Sequence, residues 1–222
     1  MKFHEITLPV HEPARWTSWF ETTLRRLGAA RTGDTGDTVQ LGWTALRFAA
    51  GASDPAERGH HLAFAIPTGT IGDAASSIVA DTGRPLLELD DDGTTVVERG
   101  GNWASHSVYF AGPENSVFEL IEHADRPVPP APQDAQDAPT LLGVAEIGRG
   151  VTDVAAAGDD LAGRHDGRLP HGFGDPARRV IAAYGDIDGA VVLARDDRPW
   201  YPTSDVLPAT AEASFRGSSP GN

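Results

Sequence analysis

The first stretch of the chain alternates apolar and other residues in the manner of a half-buried strand. Ile6, Leu8 and Val10 share one face of it. A helix is predicted from Pro13 to Gly28, because Pro suits a first helical turn and Gly suits a left-handed cap. Its large apolar residues recur every three or four positions: Trp16, Trp19, Phe20, Leu24 and Leu27. Two strand candidates follow, at 39–42 and 45–48.

The same order of strand, helix and strands occurs twice more. A second copy starts with the alternating stretch 61–66 and continues with a helix that ends before Gly83. A third copy starts at Glu146, in a stretch similar to the one that begins at Glu5, and continues with a short Ala-rich helix. Further strand candidates are 86–89, 94–98, 107–110, 117–121, 180–184 and 190–194. Starts near 5, 61 and 146 indicate three repeats of one βαβββ module.

A single module of this kind cannot bury both its sheet and its helix. Two modules placed side by side can form a curved mixed sheet with helices on the convex face and a concave surface for a ligand. We therefore predict an α+β fold in which two modules pair into a cup, accompanied by a third module.

A proline-rich stretch divides the chain. Residues 127–139 contain five prolines, which lack amide donors and do not form a packed element. We predict a two-module domain with the site over residues 1–125 and a linker over 126–139. Residues 140–203 would then form a third, degenerate module, and residues 204–222 a polar tail that is disordered at its end.

Composition narrows the possible chemistry. The 222 residues include no cysteine, so His, Asp and Glu are the strong metal ligands that remain. A formal net charge of −14 disfavours binding to nucleic acid or to an anionic membrane. We find no apolar run long enough for a spanning helix and no secretory signal pattern at the start, so a cytoplasmic location is expected.

The modules carry local sequences that resemble a known superfamily. The stretch from Ser107 to Leu120 is similar to the terminal hairpin of the vicinal oxygen chelate superfamily, in which an aromatic-Phe pair, an Asp-Pro-Asp-Gly-Asn turn and a Glu-Leu pair follow one another. In this chain Gly112 replaces the first Asp of that turn, and Asn115 replaces its Gly. Asn tolerates left-handed backbone, so the turn can form. This superfamily includes glyoxalases, bleomycin-resistance proteins, extradiol dioxygenases and fosfomycin-resistance thiol transferases.

The resemblance implies a metal in the cup, held by Glu5, His61 and Glu119. Strand alternation supports this set, because all three lie on the faces opposite the helix-facing apolar residues. They suit one divalent ion of iron, manganese, nickel, cobalt or zinc. In the third module Glu146 stands where a first-strand ligand would be, but Leu193 occupies the place of the terminal carboxylate, and no metal is expected there. Glu5, His61 and Glu119 could each also be an ordinary solvated residue of a strand.

Four further residues are candidates for contact with a substrate. Arg47 would grip a carboxylate or phosphate, or else lie in water on an edge strand. Tyr109 matches a tyrosine that touches the substrate in thiol-transferase relatives, or is a half-buried sheet residue. Trp103 and His106 would form the rim, although the alternation places His106 on the helix side. No catalytic residue is assigned.

The resemblance implies a metal-dependent enzyme that acts on a small oxygenated molecule by glyoxalase-like lyase or isomerase chemistry or by dioxygenase-like chemistry. The alternative is a metal-free small-molecule binding or drug-resistance protein of the bleomycin-resistance kind, and a dimerising or regulatory scaffold is a third option. We expect a homodimer formed through the unpaired third module, unless that module packs over the first two.

Overall fold

The computed structural model of the chain describes residues 1–33, 36–51, 58–90, 92–124, 126, 141–175 and 177–218. The linker predicted at 126–139 lies outside these residues except for Arg126. Among the described residues, no helix is long and apolar enough to cross a membrane.

The first segment forms one helix and four strands. Helix α1 is shorter than predicted and ends at Thr23, but Leu24 and Leu27 remain fully buried in the turns that lead to Gly28. Gly28 has a φ of 90°, a left-handed conformation that favours glycine. The elements are β1 (Lys2–Val10), α1 (Pro13–Thr23), β2 (Ala30–Thr32), β3 (Thr38–Leu41) and β4 (Thr44–Ala50).

The second segment repeats this order. Helix α2 ends at Gly83 in a left-handed cap, as the sequence predicts. The predicted strand at 86–89 does not form, although the backbone there donates hydrogen bonds from Leu87 to Tyr109 and from Leu89 to Thr94. The elements are β5 (Arg58–Gly59), β6 (His61–Ala65), α2 (Ile71–Thr82), β7 (Val96–Arg99), a 3-10 turn (Gly101–Trp103), β8 (Ser105–Ala111) and β9 (Val117–His123).

The third segment has the same pattern, followed by two short strands. Asp153 caps helix α3 by accepting a hydrogen bond from the Ala156 amide at 3.0 Å. The elements are β10 (Gly143–Val151), α3 (Val154–Arg164), β11 (His171–Gly174), β12 (Ile181–Asp186), β13 (Gly189–Arg195), β14 (Leu207–Pro208) and β15 (Ser214–Ser218).

Strand pairing joins the second and third modules, whereas we expected the first and second to pair. One sheet of eight strands has the order β11-β12-β13-β10-β6-β9-β8-β7, with β10 antiparallel to β6. The alternation of apolar residues in β1 and β10 is nearly the same, and alternation defines a strand's faces but not its partner. The predicted α+β fold with a curved mixed sheet is confirmed, with this change in which modules form it.

The first module forms a separate five-stranded sheet in the order β15-β1-β4-β3-β2. Strand β15 lies antiparallel to β1, and Phe215 contacts Phe3 edge to face at 4.9 Å between ring centroids. The tail predicted to be polar and partly disordered thus contributes a strand, and its last residues, 219–222, lie outside the described chain.

Both edges of β10 are paired within the chain, by β6 and β13, so the open edge that suggested a homodimer is absent from β10. Dimerisation stays a prediction.

The eight-stranded sheet curls so that its outermost strands approach each other. Trp103, which follows β7, packs against Phe173 of β11 with ring centroids 4.4 Å apart. Large apolar side chains fill the outer face under the helices. The inner face carries many small residues that leave the cup concave: Ala63, Ala65, Ala183, Ala190 and Ala194.

Candidate metal centre

Three neighbouring strands bring one histidine and two glutamates to the inner face of the cup. Ala63 of β6 lies between Glu119 of β9 and Glu146 of β10, because it is paired in register with both. His61 precedes Ala63 by two residues and therefore points to the same side of β6. The cluster is thus a product of the β9-β6-β10 order of the sheet.

The three side chains are close enough to share one ion. The Nε2 atom of His61 lies 3.5 Å from Oε2 of Glu119 and 3.7 Å from Oε2 of Glu146. One ligand atom from each residue falls within 4.8 Å of the other two. All three residues are at most 5% exposed. Buried charges of this kind are typically paired or coordinate a metal.

The backbone and a glycine hold the imidazole of His61 in place. Its Nδ1 lies 3.1 Å from the carbonyl oxygen of Val117, and donation from Nδ1 to this oxygen fixes the ring with Nε2 facing the carboxylates. The indole of Trp200 packs on the other side, 5.1 Å away between ring centroids. A Cβ at Gly148 would lie 2.7 Å from the Cβ of His61 and 2.8 Å from the Trp200 ring, so glycine is required there.

Burial and neighbouring charges shift the pKa values of Glu119 and His61. Burial and the charge of Glu146 raise the pKa of Glu119 to about 7, although the nearby His61 counteracts part of this rise. Burial alone would lower the pKa of His61, but the hydrogen bond to Glu146 and the two negative charges outweigh burial and raise it. Two buried carboxylates beside one imidazole carry excess negative charge. One nitrogen and two oxygen donors with this charge fit a divalent cation of the borderline to hard class.

Tyr109 and Arg99 extend the site along β8 and β7. Tyr109 is paired with Glu119 across the hairpin and is only 3% exposed. Nη2 of Arg99 donates a hydrogen bond to the Tyr109 hydroxyl at 3.3 Å. Burial and the charge of Glu119 raise the pKa of Tyr109, so the phenol stays protonated. Burial lowers the pKa of Arg99, but Tyr109 and both glutamates outweigh that effect and raise it.

Sequence reasoning missed Glu146 and Arg99 as members of the site. The sequence identifies Glu146 as a first-strand position but predicts that its module lies apart from the cup. Arg99 follows the predicted strand 94–98 by one residue, and β7 in fact extends to it. If the predicted strand is extended by one residue, the alternation of side chains places Arg99 on the same face as Val97, which packs inside the cup.

The structure does not bring Glu5 or Arg47 to this cluster, and Glu146 takes the place expected for Glu5. Both residues lie on the five-stranded sheet, where they line a separate cavity of about 580 Å³. Glu5 is 3.5 Å from Arg216, and Nε of Arg47 donates to Asp37 at 3.1 Å. The reason is the partner strand, because β1 pairs with β15 and not with β6.

The two predicted rim residues lie in different environments. Trp103 is 8% exposed and contacts Phe173 inside the cup. His106 lies on the outer face, as its alternation indicates, with Nδ1 3.0 Å from Oε1 of Glu122. The other carboxylate oxygen of Glu122 accepts hydrogen bonds from Thr70 and Ile71 at the start of α2. His106 therefore supports the helix and does not face the cluster.

Comparison with known proteins identifies the fold. No family model matches the sequence, and no curated protein matches it. Among solved structures, 99% of the chain aligns with 67% of a candidate dioxygenase from Bacillus subtilis subsp. subtilis str. 168, at a TM-score of 0.52 and 15% identity. Similarly, 96% of the chain aligns with 73% of a mutant glyoxalase I from Zea mays, at a TM-score of 0.50 and 15% identity. The chain thus has the fold of the vicinal oxygen chelate proteins, in agreement with the resemblance in its sequence.

Proposed function

We propose that this protein is a metal-dependent enzyme that acts on a small oxygenated molecule inside the cup of the eight-stranded sheet. The observation that supports the proposal is the buried cluster of His61, Glu119 and Glu146, whose ligand atoms lie within 4.8 Å of one another. Without a cation, two buried carboxylates repel each other at a cost in folding free energy. Such a costly arrangement is typical of a functional site.

The donor set favours one divalent ion of iron, manganese, nickel, cobalt or zinc. A bound ion would supply Lewis acidity toward neighbouring substrate oxygens. The set has one histidine and two carboxylates, and so differs from the two-histidine, one-carboxylate triad of non-haem iron oxygenases. A second carboxylate provides a base close to the substrate, which favours proton transfer of the glyoxalase type over oxygen activation.

The surrounding residues have separate roles in this scheme. The neutral Tyr109 phenol donates a hydrogen bond to a substrate oxygen. Among the described residues, Arg99 has no carboxylate within ion-pairing distance, so its charge is available to attract an anionic group. Trp200 covers His61 and excludes water from one side of the cluster. The exposed Tyr201, whose ring lies 5.5 Å from that of Tyr109, forms an aromatic wall beside it.

Two measurements test the proposal. Elemental analysis of the purified protein should find about one transition metal per chain, and the Glu119→Ala variant should hold none. Proton NMR in heavy water should then detect metal-dependent deuterium exchange at the hydroxyl-bearing carbon of an α-hydroxyketone probe, which is adjacent to the carbonyl. Exchange should stop on addition of a chelator and return when the metal is restored.

The results also discriminate between functions. Only trace metal in the wild type, unchanged in Glu119→Ala, would contradict a metalloenzyme and favour the metal-free binding function. Metal without any exchange would contradict the proton-transfer chemistry while leaving the metal site in place.

A further inference from the structure

Several polar side chains at one end of the cup are buried without a hydrogen-bond partner. Within the described chain, these orphaned atoms are Nε1 of Trp103, Oγ of Ser105, both ring nitrogens of His123 and Nη1 of Arg126. The four residues are 8%, 3%, 1% and 5% exposed, respectively. Buried polar groups in native proteins nearly always have a partner, so a concentration of exceptions calls for a bound polar group. We call these four residues the polar end.

The polar end is a single site. Ser105 and His123 are directly opposite each other in the β8–β9 ladder. The Trp103 ring meets the His123 ring edge to face, with centroids 5.3 Å apart. The Arg126 amide donates to the His123 carbonyl oxygen at 3.2 Å. The Trp103, Ser105 and His123 side chains thus lie together, and the Arg126 charge is close enough to lower the pKa of His123.

Arg126 also closes this end of the cup. Its Nε lies 3.3 Å from Oδ1 of Asp188, and its Nη2 donates to the carbonyl oxygen of Ile187. Both partners belong to the turn between β12 and β13, on the far side of the curled sheet. The guanidinium is thereby fixed with Nη1 as its remaining donor.

The polar end faces the same interior as the metal centre. Glu119, Ile121 and His123 alternate along β9 and share its inner face. His123 follows Glu119 by four residue steps along the strand, or about 13 Å between their α-carbons. Between them the inner face carries Ala65 and Ile121, which contribute no polar group, and Ser107 of β8, which is paired with Ile121 and whose hydroxyl lies beside Glu119.

The chemistry of the polar end suits a hydrogen-bond acceptor. Trp103, Ser105 and Arg126 each offer a donor. Burial and the Arg126 charge lower the pKa of His123 to about 4, so at neutral pH the imidazole is uncharged and offers one donor and one acceptor. Donors outnumber acceptors, and one of them is cationic. A carboxylate fulfils these demands best.

We propose that the polar end binds a second carboxylate of an elongated substrate whose other, oxygenated end lies at the metal centre. This inference rests on the proposed function, and it narrows the substrate class to dicarboxylates with vicinal oxygens at one end. The distance along β9 favours a chain of about six or seven carbons over a shorter one.

Calorimetry with matched probes tests the inference. The Mn²⁺-loaded protein is titrated with 2-oxoheptanedioic acid and with 2-oxoheptanoic acid, which differ only in the far carboxylate. We expect the dicarboxylate to bind at least 10-fold more tightly to the wild type. The advantage should fall below 3-fold in Ser105→Ala, which removes a donor with little change of shape, and in Trp103→Phe, which removes the indole donor together with part of the ring. The control Ser76→Ala, on the exposed side of α2, should retain it.

The outcomes separate this inference from the function on which it rests. Mn²⁺ is first titrated alone, and failure to bind would contradict the metal centre itself. If Mn²⁺ binds but the two acids bind equally, or neither binds, the polar end holds only water and the inference is wrong. An advantage that persists in both donor variants would likewise overturn it.

Discussion

Glu5 and Glu146 occupy equivalent positions in two modules but lie in opposite environments. Each begins the same alternating pattern, and each is paired in parallel with an alanine, Ala45 or Ala190. The Glu5 side chain is 62% exposed, and that of Glu146 is 5% exposed. The position within the module thus determines which face a residue occupies, but not what surrounds it.

The strand on the other edge accounts for the difference. Beside Glu5 lies Arg216 of β15, in an open sheet that faces solvent. Beside Glu146 lies β6, which carries His61 two residues from the paired position. Glutamates at the same position of the module therefore form a surface ion pair in one sheet and part of a buried anionic cluster in the other. The comparison shows that the site arises from module pairing rather than from the module itself.

The largest expected effect is on metal affinity. Glu146→Gln should weaken the binding of Mn²⁺ or Ni²⁺ by more than about 100-fold, because it removes a charged ligand. Calorimetric titration of the chelator-treated protein measures this. Glu5→Gln is the matched control and should bind as tightly as the wild type. Equal losses in the two variants would place both glutamates in one site and remove the contrast between the sheets.

The second effect concerns the stability of the metal-free protein. Glu119→Gln should raise the free energy of unfolding at pH 8 by roughly 1–3 kcal/mol, because it relieves repulsion between buried carboxylates. Burial raises the pKa of Glu119 from 4.5 in the unfolded chain to about 7 in the folded protein. The folded protein therefore loses stability as the pH rises from 4.5 through 7, and the variant lacks this loss. Urea denaturation in the presence of chelator measures the difference, and Glu5→Gln should change stability by less than about 0.5 kcal/mol. A less stable Glu119→Gln at pH 8 would contradict the repulsion.

A smaller effect is expected at the contact between the two sheets. His60 is buried, and its Nε2 donates to the Pro9 carbonyl oxygen of β1 at 2.8 Å. Burial lowers the pKa of His60 to about 4. The unfolded chain therefore binds more protons between pH 6.5 and 4, and stability falls as the pH decreases through that window.

For His60 alone this loss amounts to about 2 kcal/mol between pH 7.5 and pH 5.0. The His60→Gln variant should lack that part of the pH dependence, whatever its stability at pH 7.5. Urea denaturation at both pH values gives the comparison. An unchanged pH dependence in the variant would mean that His60 is protonated in the folded protein.

The smallest effect belongs to the exposed counterpart of the buried cluster. A double-mutant cycle of Glu5→Gln and Arg216→Ala should give a coupling of less than about 0.5 kcal/mol, since both side chains are well exposed and separated by 3.5 Å. High salt should reduce it further. A coupling above about 1 kcal/mol would show that this ion pair is not the weak surface contact that the comparison requires.

The local structure was predictable from the sequence to the extent that it depends on neighbouring residues. The alternation in β1, β6 and β10 predicts the faces of His61 and Glu146 correctly, and Gly83 predicts the end of α2. These features follow from the period of a strand and from the conformational freedom of glycine.

Pairing between modules could not be predicted in the same way. The first strands of the first and third modules have similar patterns, so the choice of β10 as the partner of β6 depends on contacts distant in sequence. Gly42 shows this, since a Cβ there would lie 2.1 Å from the carbonyl oxygen of Leu142. Strand β15 was also missed, because its polar, half-exposed sequence lacks the alternation of a buried strand.

The boundary between the second and third modules runs between β6 and β10, and the candidate ligands lie on both sides of it. His61 and Glu119 belong to one module and Glu146 to the other. Neither module alone has a complete set, so an ion held by all three would act as a cross-link between the two modules. Its binding energy would contribute to their association as well as to chemistry. The two modules would then have to be inherited together, because a gene rearrangement that separates them would leave each module without a complete set of metal ligands.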